Sequence, residues 1–294
     1  MSALDKCLPA AHDEDTGIKI TWLGNASIRI TIAGLTLLFD PFIPLPGAEY
    51  SLTAEELQPA QHVLVTHGHF DHAVSVPETI AAETKAVYLS QSPQKALQSA
   101  GVPVSLLVPV QPGDMLDFST TSGALETKGP PVEVQDAKSN ARVAVLRGKH
   151  IRFDLKLVVS TSFNLKVLQH RVNIQRILRD HKLFREHDET LVFVVFHVDK
   201  TIVVLGSLAL DDAEAYPESC DLLVLPFQGH TRLEAKALAI IERLKPKAIM
   251  LDHFDDAFPP VSRHIETSGL VQAVAEQYPH VKTIVPQRGE AFIL

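Results

Sequence analysis

The chain has 294 residues, 46% of them apolar, enough for a sizeable core in one large domain or two small ones. Its 27 Lys and Arg against 35 Asp and Glu give a net charge of −8, which argues against nucleic acid as the main partner because phosphate binding needs clustered cations. The two cysteines, Cys7 and Cys220, exclude a disulfide framework and a cysteine-based zinc site.

Residues 1–16 carry acids, lack the apolar stretch of a signal peptide and read as a flexible tail. From residue 18 the chain turns strand-like. Residues 18–23 and 27–32 alternate apolar and polar, with Gly24-Asn25 as a hairpin turn between them. A third strand over 35–39 ends in Asp40-Pro41, and the proline-rich stretch 41–47 is loop. Next come a strand at 63–66, a histidine cluster, a short helix over 76–84, a strand at 86–89, a helix at 92–100 and an extended run over 102–110. The β pattern continues through 143–146.

Residues 151–187 break it. Apolar residues at 165, 168, 172, 174, 177, 178, 183 and 184 approximate a helical stripe over 163–185. Six Lys or Arg stand against two acids in residues 163–187, so the segment reads as an inserted helix with one basic face. A hairpin over 191–198 and 201–205 follows, then a buried strand at 222–225, a helix at 232–244 and a strand at 248–251 that ends in Asp252-His253. A helix at 268–278 and a strand at 283–285 close the chain. No run approaches the roughly 18 apolar residues of a membrane span. The expected setting is soluble, reducing and cytoplasmic, without stable membrane insertion.

The richest chemistry lies in His67-Gly68-His69-Phe70-Asp71-His72, directly after an apolar strand. Imidazoles and a carboxylate at a strand end are the ligand types that suit zinc and other first-row divalent ions. Residues at i and i+2 can aim at one ion, and Asp71 and His72 at a second beside it. A pair of ions clamps a bridging hydroxide and lowers the pKa of bound water towards about 7. Further ligands must come from other strand ends. His150 and His253 are the best candidates, because each follows an apolar run.

These residues carry a family resemblance. Residues 20–27 (ITWLGNAS), Asp40-Pro41, residues 66–72 (THGHFDH) and residues 253–256 (HFDD) occur in an order similar to that of the metallo-β-lactamase superfamily. Within it the chain resembles predicted metal-dependent hydrolases of the ascorbate-phosphate lactonase type. The resemblance implies an α/β fold, a four-layer αβ/βα sandwich, as a single domain over residues 17–294 with the 151–187 helical insertion inside it. It implies that His67, His69 and His150 hold a first ion, and Asp71, His72 and His253 a second. Asp71 would also orient the hydroxide nucleophile, and Asp40 would prop the histidine loop. The implied cofactor is one or two divalent ions, zinc foremost, with manganese or iron as alternatives. The implied activity is hydrolysis of a small ester, lactone or phosphorylated metabolite.

Three departures qualify the match. The family places a metal-bridging aspartate after a strand and a glycine; here the segment 203–207 puts Ser207 at that position. A neutral hydroxyl bridges poorly and leaves one more positive charge uncompensated, so a second ion should bind more weakly. Asp211 and Asp212 are substitutes for it, or else caps of a short helix near 213–216. Asn25 stands where relatives carry histidine, and suits a turn with positive φ. The insertion's basic face could receive an anionic substrate, lie in solvent or form a homo-oligomer contact. His230, in the loop after the 222–225 strand, is a candidate to contact substrate or shuttle a proton. A nuclease or phosphodiesterase of the same superfamily, and a non-catalytic member with an altered site, are the competing readings.

Overall fold

Alternation at the start of the chain builds a hairpin, as expected. β1 (Ile18–Gly24) and β2 (Ser27–Ile32) pair antiparallel, and β3 (Leu35–Phe39) adds beside β2. In this computed structural model, residues 17–118, 123–126, 132–134, 140–151 and 169–294 are described; the expected tail at 1–16 and the 163–168 part of the expected insertion helix lie outside them. The chain continues through α1 (Ala54–Leu57), β4 (His62–Leu64), α2 (Phe70–Ala73), α3 (Val76–Thr79), β5 (Ala86–Leu89), α4 (Gln94–Ser99) and β6 (Leu107–Pro109). Strands β3 to β6 run parallel.

The second half adds β7 (Met115–Asp117), β8 (Gly123–Glu126), β9 (Val132–Val134), β10 (Ala141–Arg147), α5 (Arg171–Leu183), β11 (Leu191–His197) and β12 (Lys200–Leu205). It ends with β13 (Leu222–Pro226), α6 (Leu233–Leu244), β14 (Ala248–Asp252), α7 (Ser268–Gln277), β15 (Lys282–Ile284) and β16 (Ala291–Ile293). Two sheets result, ordered β16-β1-β2-β3-β4-β5-β6 and β15-β14-β13-β12-β11-β10-β7-β8-β9.

Strand periodicity explains how the layers stack. Leu37, Phe39, Leu64 and Tyr88 belong to the core between the sheets, where Phe39 meets Phe193 of β11 edge-on at 5.9 Å. Their neighbours Leu38, Val63 and Val87 point the other way, into a second core with Leu57, Phe70, Leu97, Ile177 and Phe184. Successive side chains of a strand face opposite sides, so a strand apolar on both faces must be covered on both. On the second sheet, α6 and α7 bring Ala237, Ile240, Ile241, Leu244, Leu270 and Val274 into the first core. Two sheets with helices around them form the expected α/β sandwich.

Two helices differ from expectation. The one expected over 76–84 stops at Thr79, because Ile80 is extended and the Thr84 hydroxyl accepts from Ala81 N at 3.1 Å, closing a turn. None forms near 213–216; there Asp211 Oδ1 accepts from Ala213 N at 2.9 Å and caps a turn instead.

Strand direction fixes where the functional loops gather. β3, β4 and β5 are parallel, as are β12, β13 and β14. β10 and β12 both run antiparallel to β11 and hence in the same sense. Asp40, His67, His150, Ser207, His230 and His253 therefore all follow the carboxyl ends of strands. Ligands of α/β sheets bind at such ends.

Candidate metal centre

Two groups of ligand atoms meet at this edge. His67, His69 and His150 form one triad; Asp71, His72 and His253 form the other. Within each, one ligand atom per residue lies within 4.8 Å of the others. His67 Nε2 and His69 Nδ1 converge to 3.1 Å, and the His69 and His150 rings are 4.5 Å apart. In the second triad, Asp71 Oδ2 lies 3.1 Å from His253 Nε2 and 3.6 Å from His72 Nε2. The triads abut, with the His67 and His72 rings 4.0 Å apart.

Asp40 sets the tautomers. Its carboxylate accepts from Thr66 N (2.7 Å), Thr66 Oγ1 (2.6 Å) and His72 Nδ1 (2.8 Å). A carboxylate only accepts, so His72 carries its proton on Nδ1 and turns Nε2 towards Asp71. Thr66 spends its one proton on Asp40, so its oxygen accepts from His67 Nδ1 at 3.1 Å. That leaves the His67 Nε2 lone pair aimed at His69. This is the propping role expected of Asp40, extended through Thr66.

Electrostatics agree with a ligand set. Burial, reinforced by the neighbouring imidazoles, holds His67 well below the usual imidazole range. Burial likewise pushes His69 down to about 3, and lowers His150. All three are neutral near pH 7 and can donate lone pairs. Burial by itself would raise the Asp71 carboxyl, but His72 and His253 outweigh it and hold it below the carboxylate range. For His253 burial lowers the imidazole, and the bond to Asp71 outweighs that and raises it. Five imidazoles and one carboxylate, buried or half-buried, fit one or two first-row divalent ions.

Asn25 does more than make a turn. Its φ of +49° is the expected left-handed value, and Asp40 and His253 share that region at +43° and +55°. Its Nδ2 donates to Asp71 O (2.8 Å), its N donates to Asp255 Oδ2 (2.7 Å), and its carbonyl accepts from His253 N (2.8 Å). One residue thus ties together the two segments that supply the second triad. Sequence reading also missed Thr66, Asp255 and the exposed His181, whose ring lies 6.1 Å from that of His69. Only the HFDD string at 253–256 drew attention to Asp255.

His230 belongs to neither triad. Ser207 Oγ accepts from Ile151 N at 2.9 Å, one residue beyond His150. His230 Nδ1 accepts from Arg232 N at 2.9 Å. The loop that bears His230 also reaches the second triad, because Gln228 Nε2 donates to His253 O at 3.1 Å. Asp212 pairs with Lys149 at 3.0 Å.

The sequence profile of the β-lactamase superfamily domain matches residues 19–252. With the two-sheet sandwich and the histidine motif, this shows that the chain belongs to the metallo-β-lactamase superfamily. A UPF0173 metal-dependent hydrolase of Azorhizobium caulinodans is 32% identical over 99 residues, 33% of this chain and 42% of that protein. The match thus spans less than half of that relative's length. Igni18, a metallo hydrolase from the archaeon Ignicoccus hospitalis, superposes with a TM-score of 0.59 at 16% identity, over 95% of this chain and 99% of that one. CmlA, a diiron β-hydroxylase from Streptomyces venezuelae, superposes with a TM-score of 0.56 at 13% identity, over 98% of this chain and 55% of that one. At such identities the likeness is one of fold.

Proposed function

We propose that the chain is a metal-dependent hydrolase of a small ester, lactone or phosphorylated metabolite. His67, His69 and His150 would hold one divalent ion, and Asp71, His72 and His253 a second. The observation that carries this reading is the meeting of two adjacent ligand triads, drawn from both sheets, with His67 and His72 already oriented by Thr66 and Asp40. A zinc ion held there supplies Lewis acidity and draws the pKa of water towards about 7. The names of the UPF0173 relatives support the activity. Zinc is our assignment over manganese or iron, on the imidazole-rich donor set.

The chain's own groups then have defined tasks. Asp71, kept ionised by His72 and His253, is the acceptor that orients an attacking water. His230 contacts substrate or passes a proton to solvent: its Nδ1 is occupied as an acceptor, so the neutral ring carries its proton on Nε2. Ser207 stands where relatives bridge two ions with a carboxylate, which leaves Asp71 the one carboxylate of the two triads. The second ion should therefore be held less tightly than the first. Among the described residues no helix is long and apolar enough to cross a membrane.

Elemental analysis of protein purified without chelators, beside a Ser207→Asp variant, tests the centre. The wild type should keep one ion through extensive dialysis and lose much of the second; the variant should retain closer to two. Ester, lactone and phosphoester hydrolysis should vanish with chelator and return with zinc. Protein that binds no metal would overturn the centre. Metal-loaded protein inert on all three substrate types would point to a non-catalytic member, and cleavage confined to nucleic acid to a phosphodiesterase.

A further inference from the structure

The first sheet has a charged face away from the centre. Alternate residues of β1, β2 and β3, among them Ile20, Ile30 and Leu37, fill the core between the sheets. The residues between them face the other way. On that outer face Lys19 stands opposite Thr31, Thr21 opposite Arg29, and Thr36 beside Thr31. Opposed Cβ atoms lie roughly 5 Å apart, so these side chains are neighbours. The three strands carry two cations and no acid.

This face floors a cleft of about 490 Å³. One wall is the end of α1 with Gln58 and Pro59; the other is the loop before β16, with Arg288 and Gly289. Lys19, Arg29 and Arg288 line the cleft against one acid, Glu56, so three positive charges and one negative leave +2 on a chain of −8. None of the lining residues belongs to the two triads.

The three cations are unequally committed. Arg29 Nη2 donates to Glu56 O (2.6 Å) and Gln58 O (3.3 Å), which holds the end of α1 on the sheet. Its Nε is buried and has no hydrogen-bond partner among the described residues. Burial lowers this guanidinium from its ordinary value, so an anion nearby would stabilise it. Arg288 lies over the Tyr50 ring at 5.3 Å and stands 3.6 Å from Glu56 Oε1, beyond hydrogen-bond length. Lys19 is exposed, and the strands on either side of it, β2 and β16, carry no acid.

We propose that this cleft is a second binding site, for a small non-aromatic phosphomonoester, with Lys19 and Arg288 as the residues that recognise its charge. A phosphomonoester carries about −1.5 to −2 near pH 7, which matches the cleft. Thr21, Thr31 and Thr36 add hydroxyls that donate or accept for its oxygens. No aromatic ring is among the described lining residues, so nothing there would stack on a nucleobase. The volume falls in the range of small-molecule sites, roughly 300–1,000 Å³.

Calorimetric titration tests the site. The probes are inorganic phosphate, propylphosphonate, whose C–P bond a hydrolase leaves intact, AMP and neutral propanediol. The proteins are zinc-loaded wild type, Lys19→Gln, Arg288→Gln, the double variant and, to disable the centre, His67→Ala. Propylphosphonate should saturate one site in wild type and in His67→Ala. Its affinity should fall about tenfold in each single variant, as loss of one charged hydrogen bond gives, and become undetectable in the double variant. Propanediol should not bind. Thermal unfolding of the variants should match wild type, because both substituted side chains are exposed. Binding lost in His67→Ala but kept in the double variant would place the anion at the metal centre and overturn the proposal, as would no saturable binding. AMP bound more than tenfold tighter than propylphosphonate would overturn the non-aromatic class. The hydrolase reading stands or falls separately, since no probe here reports turnover.

Discussion

The second histidine of the HFDH string, His72, owes its ligand geometry to a residue 32 positions earlier. Asp40 holds its Nδ1–H at 2.8 Å, and the same carboxylate grips both polar groups of Thr66. Removing such an outer partner typically costs 10- to 100-fold in metal affinity. Asp40→Ala should weaken zinc binding by about that factor in a chelator-dye competition, and Asp40→Asn by less, because the amide oxygen can still accept from His72. Cys220 makes a contrasting case. It is buried, and burial pushes its thiol up to about 12, so it should be inert as a nucleophile. In a Cys7→Ser background, a thiol reagent should label the native protein negligibly and modify Cys220 only after denaturation.

Among the elements, α5 approaches the centre, with His181 6.1 Å from His69 and Arg185 O against Gly68. Its anchors are Asn173, Ile177 and Phe184, all buried, and only the two apolar ones fit the stripe legible in the sequence. Truncating a buried phenylalanine costs roughly 3–5 kcal/mol. Phe184→Ala should lower the urea midpoint accordingly and also raise the zinc dissociation constant, since the helix end backs Gly68 and His69. A lowered midpoint with unchanged zinc affinity would show that α5 is independent of the centre. Of the basic residues read from composition, Arg179 and Arg176 pair with buried Asp180 at 2.8 and 3.5 Å, and Arg171, Lys182 and Arg185 are exposed.

For the whole molecule the histidines govern pH dependence. His67, His69 and His150 have folded values below the ordinary 6.5, about 3 for His69. Between those values the unfolded chain binds more protons than the folded one, so stability falls as pH falls. His253 is shifted the opposite way, as are the carboxyls of Asp252 and Asp255, raised by burial, and their contributions are lost as pH rises through the raised values. The stability that the three lowered histidines contribute to the metal-free protein should be fully present above about pH 6.5 and be lost progressively below it. Bound zinc, at about 100 times its dissociation constant, should add roughly 2.7 kcal/mol near neutrality. That gain should shrink over the same acidic range as protons compete for the imidazoles. Scanning calorimetry from pH 8 to 4, with and without chelator, measures both effects.

Much of this was legible in one dimension, because strand alternation and metal-ligand spacing are local properties. Residues 27–32, 35–39 and 86–89 were readable as strands to the residue, and the six candidate ligands follow strand ends that the sequence already marks. Short helices failed where a single side chain decided the matter, as with Thr84 closing a turn after Thr79. Long-range roles were invisible for a different reason. A buried polar group must find partners wherever the fold brings them. Nothing in the neighbourhood of Asn25 announces Asp71, Asp255 and His253, and nothing near His181 announces His69. The chain by itself determined which residues could bind metal and that they end strands. Only the tertiary structure decided which meet and which tautomers His67 and His72 adopt, because those depend on the direction in which sheets and helices pack and not on local pattern.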